Sequence, residues 1–172
     1  NQIDDLCAPL RYLGISYLSF VRIYPDHSRI SICNHAEWQH LFYTKFMNEE
    51  YYQHHVQFEK IAKSSPVTVW ADHPENEAYI DANTIFGLKN GVVFTEDCED
   101  YTEICHFASD VNSDSAVYFC LGHQDLMKKF ILYLKQKASS LIANMEKDLL
   151  IAPEIYRVRE RHIDLSAENV SG

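Results

Sequence analysis

Hydrophobic and polar positions in the first third of the chain predict a β-hairpin. The segment "ISYLSFVRIY" (15–24) has apolar residues on both faces of an extended chain, so we expect a strand that is covered on both sides. The turn "PDHS" follows, and "RISICN" (29–34) is typical of the returning strand. Before this hairpin, "QIDDLCAPLRYLG" predicts a short helix that ends at Gly14.

The rest of the chain alternates between helical and extended patterns. Helices are predicted in "HAEWQHLFYTKFM", "QHHVQFEKIAKSS" and "ENEAYIDANTIFGL". "PVTVW" (66–70) predicts a short strand that ends at Trp70, and "GVVFTE" and "YTEICHFAS" predict a second hairpin around "DCED". Apolar residues recur at three- and four-residue steps from Leu126 to Leu149, which predicts one long helix that ends before Pro153.

These elements define a fold class. Two hairpins and one short strand give about five strands, with helices between and after them. We therefore expect one domain over residues 1–150, an α/β fold in which helices cover both faces of a five-stranded antiparallel sheet. This α-β-α sandwich is the architecture of small sensory domains of the PAS and GAF kind, in which a cavity often lies between the sheet and the helices.

Composition and charge reduce the number of possible functions. The chain has 172 residues, of which 47% are hydrophobic, so it can bury a core without disulfides or metals. Its net charge of −10 argues against direct binding of nucleic acid or an anionic membrane. Five cysteines without a CxxC pair favour a reduced, cytoplasmic protein, and no signal peptide or membrane-spanning apolar run occurs.

Candidate catalytic and metal-binding residues form no recognisable pattern. The sequence has no GxSxG, HExxH or glycine-rich phosphate loop. His35 and His40 are five residues apart and do not share a helix face, and Cys33 has no convincing set of further ligands. We therefore expect no catalytic residue, no metal and no cofactor. A small enzyme that uses a cysteine such as Cys105 with a histidine remains an alternative.

An aromatic stripe in "NHAEWQHLFY" (34–43) leaves two interpretations open. Trp38 and Phe42 lie on one face of the predicted helix, with Phe46 one turn further on, and such stripes are usually core. A buried tryptophan nevertheless needs a partner for its indole N–H, and a ligand carbonyl can be that partner. Tyr43, the neighbour of Phe42, is expected to point elsewhere on the helix.

Four segments together resemble the LuxR-type autoinducer-binding domain. They are "LGISYLSFVRIYPDHSRISICNHAEW" (13–38), "PVTVW" (66–70), "IFGLKNGVVF" (85–94) and "CHFASD" (105–110). Their order and rough spacing agree with that family from about residue 13 to 142. The resemblance implies a homodimeric domain that senses an acyl-homoserine lactone between sheet and helices. It also implies that residues 151–172 are a linker toward a DNA-binding helix-turn-helix absent from this chain.

The resemblance assigns six candidate ligand-binding residues, namely Trp38, Phe42, His55, Trp70, Tyr79 and His106. Trp38 matches the family tryptophan that donates to the lactone carbonyl. Phe42 stands in place of the family tyrosine and lacks its hydroxyl. His55 falls where the family has the aspartate that accepts the amide N–H of the signal.

The other assignments concern the far side of the expected pocket. Trp70 and Gly91 match their family counterparts. Tyr79 falls where the family often has a pocket aromatic residue. His106 lies on the last strand, where a small hydroxyl residue often helps to hold the amide.

These departures from the family pattern change the expected ligand. A carboxylate–amide hydrogen bond contributes about 1.5–3 kcal/mol, so losing it together with the tyrosine hydroxyl weakens a standard acyl-homoserine lactone roughly a hundredfold or more. His55 and His106 would suit a carbonyl, hydroxyl or carboxylate, as in a hydroxyketone.

We therefore expect a sensing domain for a small, partly apolar molecule other than a standard acyl-homoserine lactone. The alternative is a ligand-free dimerisation module of the same fold. In either case we expect self-association through the helix at 125–150, where Ile131 and Ile142 lie beside the main apolar stripe.

Overall fold

A five-stranded antiparallel sheet with helices on both sides forms the fold, which confirms the predicted fold class. The computed structural model describes residues 2–46, 60 and 63–151. The helices are α1 (Gln2–Arg11), α2 (Ala36–Phe46), α3 (Glu77–Phe86), α4 (Ser115–Gly122), α5 (Gln124–Lys137) and α6 (Ser139–Ile151). The strands are β1 (Tyr17–Ile23), β2 (Arg29–Cys33), β3 (Val67–Val69), β4 (Lys89–Asp97) and β5 (Thr102–Ser109).

The strand order is β2-β1-β5-β4-β3. Both predicted hairpins, β1–β2 and β4–β5, are confirmed, and the pairing of β1 with β5 connects them into one sheet. Because β1 pairs with β5, Tyr17 stands opposite Ala108 and Ser19 opposite His106. The predicted helix "QHHVQFEKIAKSS" lies mostly outside the described residues. None of the helices within those residues combines the length and apolarity that a membrane crossing requires.

Alternation along the strands gives the sheet two apolar faces, as predicted for 15–24. Leu18 and Phe20 of β1 belong to a core that α1, α4, α5 and α6 cover. Tyr17 and Ile23 belong to a second core, which the sheet shares with α2 and α3. In a strand that continued back from Tyr17, Ile15 would lie on the face of Tyr17. It packs in the first core instead, because it precedes the strand and the alternation does not extend to it.

The prediction of one long C-terminal helix is wrong. Ala138, with φ −92° and ψ 9°, separates α5 from α6, and a further helix, α4, precedes them. The break allows α6 to pack back on the sheet, so Ile142 is only 6% exposed and belongs to the core. Ile131 is also partly buried against that core. The predicted second contact surface of Ile131 and Ile142 is therefore not an exposed surface.

Candidate functional site

A cavity of about 70 Å³ lies between the sheet and the layer formed by α2 and α3. Five of the six predicted ligand-binding residues line it together, namely Trp38, Phe42, Trp70, Tyr79 and His106. The sixth, His55, lies outside the described residues. The aromatic stripe of α2 is thus both core and cavity wall, since Trp38 and Phe46 are buried while Phe42 is half-buried at the cavity.

Local hydrogen bonds hold the α2 wall against β1. The side-chain amide of Asn34 accepts from the Leu18 N–H at 2.9 Å and donates to the Ser16 carbonyl at 2.9 Å, which fixes the link between β2 and α2. His35 Nδ1 accepts from the Trp38 N–H at 3.2 Å, as a helix N-cap does. His35 therefore has a structural role at the start of the helix that carries Trp38.

Trp38 has a neighbour in the cavity wall that the sequence did not suggest. Its indole lies near the hydroxyl of Tyr17 on β1 and interacts with it, as do the side chains of Ser19 and Cys33. Burial raises the pKa of Tyr17 well above its ordinary value, so the hydroxyl stays neutral and can both donate and accept. The sequence showed that Tyr17 shares a strand face with Ser19, but only the packing of α2 on β1 brings Trp38 to it.

Trp70 is held between two flat surfaces. It was predicted to end a strand but instead begins a short 3₁₀ turn (Trp70–Asp72) after β3. One face of its indole lies on Gly91, where a Cβ atom would come within 2.0 Å of the ring. The other face stacks on the ring of Tyr79, with centroids 4.5 Å apart and planes 15° from parallel. Asn76 sets the position of Tyr79, because it caps α3 by accepting the Tyr79 N–H at 3.1 Å.

Gly91 can approach the indole so closely because β4 is irregular at this point. Its pairing with β5 shifts register between Lys89 and Val92, and Asn90 has a positive φ of 54°. Asn90 Nδ2 donates to the Ser113 carbonyl at 2.7 Å, which holds this conformation. The resemblance had matched Gly91 to a family glycine, and the contact with Trp70 gives the physical reason for a residue without a side chain.

The floor of the cavity is polar along one strand pair. Ser19 of β1 and His106 of β5 stand opposite each other, and Ser31 of β2 lies on the same face. The rings of His106 and Trp70 are 6.2 Å apart, so His106 lies beside the indole. Tyr43 also lines the cavity, which makes the prediction that it points elsewhere wrong. Two phenols, Tyr17 and Tyr43, therefore line the cavity near Phe42, which has no hydroxyl.

The lining suits binding more than catalysis. Arg29 is the sole side chain of fixed charge among the described lining residues, and no aspartate or glutamate is among them. Cys33 lines the cavity, but burial raises the pKa of its thiol to about 11, which leaves it protonated and weakly nucleophilic. Burial likewise raises the pKa of the Cys105 thiol well above its ordinary value. All five cysteines lie in the described residues and are free thiols.

A second group of polar residues lies on the opposite side of the sheet. Glu96, Cys98 and Glu103 come close enough to share an ion, a cluster that the sequence did not suggest. Glu103, however, is 3% exposed and already has two cationic partners: Arg22 donates to its Oε1 at 2.8 Å and Lys135 to its Oε2 at 2.6 Å. These ion pairs give Glu103 a structural role between sheet and helix.

Known structures share this fold. One is CepR2 from Burkholderia cenocepacia, an N-acylhomoserine lactone-dependent LuxR-family transcription factor, with a TM-score of 0.54, 20% identity and 80% of each chain covered. Another is SdiA from Escherichia coli, with a TM-score of 0.50 and 14% identity; the match covers 79% of this chain and 60% of that one. No protein-family model matches the sequence, and no curated protein matches it.

These likenesses identify the fold. The chain has the α-β-α fold of LuxR-family autoinducer-binding domains, as the resemblance predicted. At these identities the likeness establishes the fold alone.

Proposed function

We propose that this chain is the signal-sensing domain of a LuxR-type transcription regulator. The observation that carries the proposal is the cavity between sheet and helices, which gathers Trp38, Phe42, Trp70, Tyr79 and His106 from four parts of the chain. CepR2, which has the same fold, depends on an N-acylhomoserine lactone, and this supports a small-molecule role for the cavity here. As a sensing domain, the chain acts on DNA only through a helix-turn-helix beyond residue 172, to which 151–172 is the linker.

The ligand that we propose is a small, partly apolar molecule other than a standard acyl-homoserine lactone. Phe42 offers no hydroxyl, and the described lining residues offer no carboxylate to accept an amide N–H. Aromatic walls with serine, histidine and tyrosine groups suit a molecule such as a hydroxyketone.

Thermal unfolding of the chain against a ligand panel tests this proposal. The panel contains acyl-homoserine lactones of varied chain length, hydroxyketones and an organic extract of the host's culture. A ligand that binds the folded state raises the melting temperature by mass action. We expect a rise with a class other than the lactones, lost in Phe42→Ala and retained in His40→Ala, an exposed position on the same helix.

One further variant tests the specificity argument. Phe42→Tyr restores the family hydroxyl, so we expect it to increase the response to an acyl-homoserine lactone. A wild-type chain that already responds to lactones as strongly as to any other class would refute the altered ligand preference.

The ligand-free module of the same fold remains the second candidate. The cavity volume of about 70 Å³ is below the roughly 300–1,000 Å³ typical of ligand pockets. A domain that is already stable and shows no shift with any member of the panel would favour this candidate over the sensor.

We also propose that the chain is a cytoplasmic homodimer. The helices α4 to α6 expose large apolar side chains, namely Tyr118, Leu126, Leu132, Tyr133 and Leu141. These residues replace Ile131 and Ile142 as the basis for the predicted self-association. Sedimentation should detect a dimer that Leu132→Glu weakens, and a wild-type monomer at tens of micromolar would contradict it.

A further inference from the structure

A second cavity, which we call the α5 cavity, lies on the opposite face of the sheet from the aromatic cavity described above. Residues of β1, β4 and β5 line one side of it, and residues of α5 line the other. Its volume is about 450 Å³, within the roughly 300–1,000 Å³ typical of ligand pockets, whereas the aromatic cavity has about 70 Å³. Among the described residues the two cavities share no lining residue, so the α5 cavity is a separate candidate site.

The floor of the α5 cavity is apolar. Cys105 of β5 is paired with both Phe20 on β1 and Phe94 on β4, so the three side chains form a row on one face of the sheet. Each of them is at most 5% exposed. Ile131 and Leu132 of α5 line the cavity from the other side. A ligand for this cavity therefore needs an apolar body, whose burial provides most of its binding free energy.

One end of the α5 cavity has charges that already compensate each other. Glu103, two residues before Cys105 on the same face of β5, accepts from Arg22 at 2.8 Å and from Lys135 at 2.6 Å. Lys135 also lies 4.0 Å from a carboxylate oxygen of Glu96, the residue that is paired with Glu103 across the sheet. This end therefore offers no unpaired cation, and its two carboxylates repel an approaching anion.

The other end of the α5 cavity has an unpaired cation. Lys128 lines the cavity about two helical turns before Lys135, which is about 10 Å away along α5. Lys128 is exposed, and within the described part of the chain its ammonium group has no ion-pair or hydrogen-bond partner. An ammonium group compensates one negative charge and can donate hydrogen bonds to a carboxylate. The cavity therefore combines an apolar floor with one available cation at its mouth.

We propose that the α5 cavity is a second ligand site, which binds a small amphipathic carboxylate. The carboxylate lies at the Lys128 ammonium group, and the apolar body lies along Phe20, Phe94 and Cys105. A phosphate fits less well, because it brings more than one negative charge toward Glu96 and Glu103 with only one cation to compensate it. The site goes beyond the proposed function, since it uses no residue of the aromatic cavity.

Heptanoate, heptanol and heptylamine share one body and differ in head group, so they test the proposal on the 172-residue chain. Isoleucine methyl groups labelled with ¹³C report where a probe binds, because Ile131 lines the α5 cavity and Ile104 lines the aromatic cavity. The variants Ile131→Val and Ile104→Val assign the two signals. Heptanoate should shift the Ile131 signal saturably and leave the Ile104 signal in place. It should bind about two- to fivefold more tightly than heptylamine.

Lys128→Glu tests the contact with the head group. Lys129→Glu is the matched control, because Lys129 is also exposed on α5 but does not line the cavity. Lys128→Glu should reverse the preference, so that heptylamine binds more tightly than heptanoate, and Lys129→Glu should retain it. Heptanol should bind equally to all three chains, because its head group is uncharged and the apolar floor is the same.

The absence of a saturable shift of the Ile131 signal would overturn the proposal, as would an Ile104 shift at the same or lower heptanoate concentrations. Heptylamine that binds the wild-type chain as tightly as heptanoate does, or an unchanged preference in Lys128→Glu, would also overturn it. These outcomes do not depend on whether the aromatic cavity binds a signal, because Ile104 reports on that cavity separately.

Discussion

The contact between Gly91 and Trp70 makes the substitution Gly91→Ala a sharp test of the cavity's construction. The added Cβ would lie 2.0, 2.2 and 2.5 Å from three atoms of the indole, two of them on the bond that its rings share. Atoms at that bond can be reached only from above the ring, so the methyl group would press on the ring face. Tyr79 lies behind the other face at 4.5 Å, so both rings must move.

The size of the effect follows from these distances. An ordinary Cβ contact is 3.4–4 Å, so the indole must retreat by at least 1.4 Å, the difference between 3.4 and 2.0 Å. Overpacking of this kind costs about 1–3 kcal/mol, and the displacement of two stacked rings places Gly91→Ala near 3 kcal/mol. The lower backbone entropy of the unfolded alanine variant offsets only about 0.4–1 kcal/mol of this loss.

Urea denaturation followed by tryptophan fluorescence measures the effect. Gly122→Ala is the matched control, because a Cβ there meets nothing within 4 Å, and it should leave stability unchanged or slightly higher. Combining Gly91→Ala with Trp70→Leu removes the ring that the methyl group meets, so the double variant should lose less than the sum of the two singles. A Gly91→Ala chain within about 0.5 kcal/mol of wild type, with unchanged emission, would refute this account of the cavity.

Three further substitutions test the rest of the structure by chemical denaturation. Glu103→Ala leaves two cations without their buried partner and should destabilise by about 3–5 kcal/mol; a loss below about 1 kcal/mol would contradict the buried network. The hydrogen bond from Tyr24, together with the Arg22 guanidinium, holds the pKa of Glu146 below 4.5. The ionised Glu146 therefore contributes to the free energy of unfolding above pH 4.5, and this contribution is lost as the pH falls through the folded-state pKa. Glu146→Gln should therefore lose less stability than wild type as the pH falls below 4.5. Parallel curves of unfolding free energy against pH for the two chains would count against the interaction. Asn76→Ala removes the cap of α3 and should cost about 1 kcal/mol, while Asn76→Asp should cost less because a carboxylate also caps; equal losses would show that the Tyr79 N–H bond is unimportant.

The sequence predicted those parts of the fold that depend on local pattern. Alternation of side chains identified both hairpins and the two apolar faces of β1, because successive residues of a strand point to opposite faces of the sheet. It could not show α4, since "SAVYFCLG" is apolar around the helix and has no period to detect. The break at Ala138 was also invisible, because the apolar spacing continues through it while the packing on the sheet does not.

Less of the candidate site than of the fold could be predicted from the sequence pattern. Periodicity left Trp38 and Phe42 undecided between core and pocket, and the grouping of Trp70, Tyr79 and His106 with them came from the family resemblance. The approach of Tyr17 to Trp38 went unrecognised, because it depends on how α2 docks on β1, which no spacing along the chain encodes. Whether the five residues bind a ligand remains a prediction.

The pairing of β1 with β5 has a consequence for synthesis of the protein. Tyr17 and Ser19 stand opposite Ala108 and His106, so the cavity is formed by strands whose paired residues lie about ninety positions apart in the chain. Pairings of such long sequence separation slow folding, because the chain between them must be ordered before they form. At about 5–20 residues per second, a ribosome needs several seconds after Ser19 to deliver His106. During that interval the cavity between sheet and helices cannot form, because its β5 wall is missing until the fifth strand has emerged.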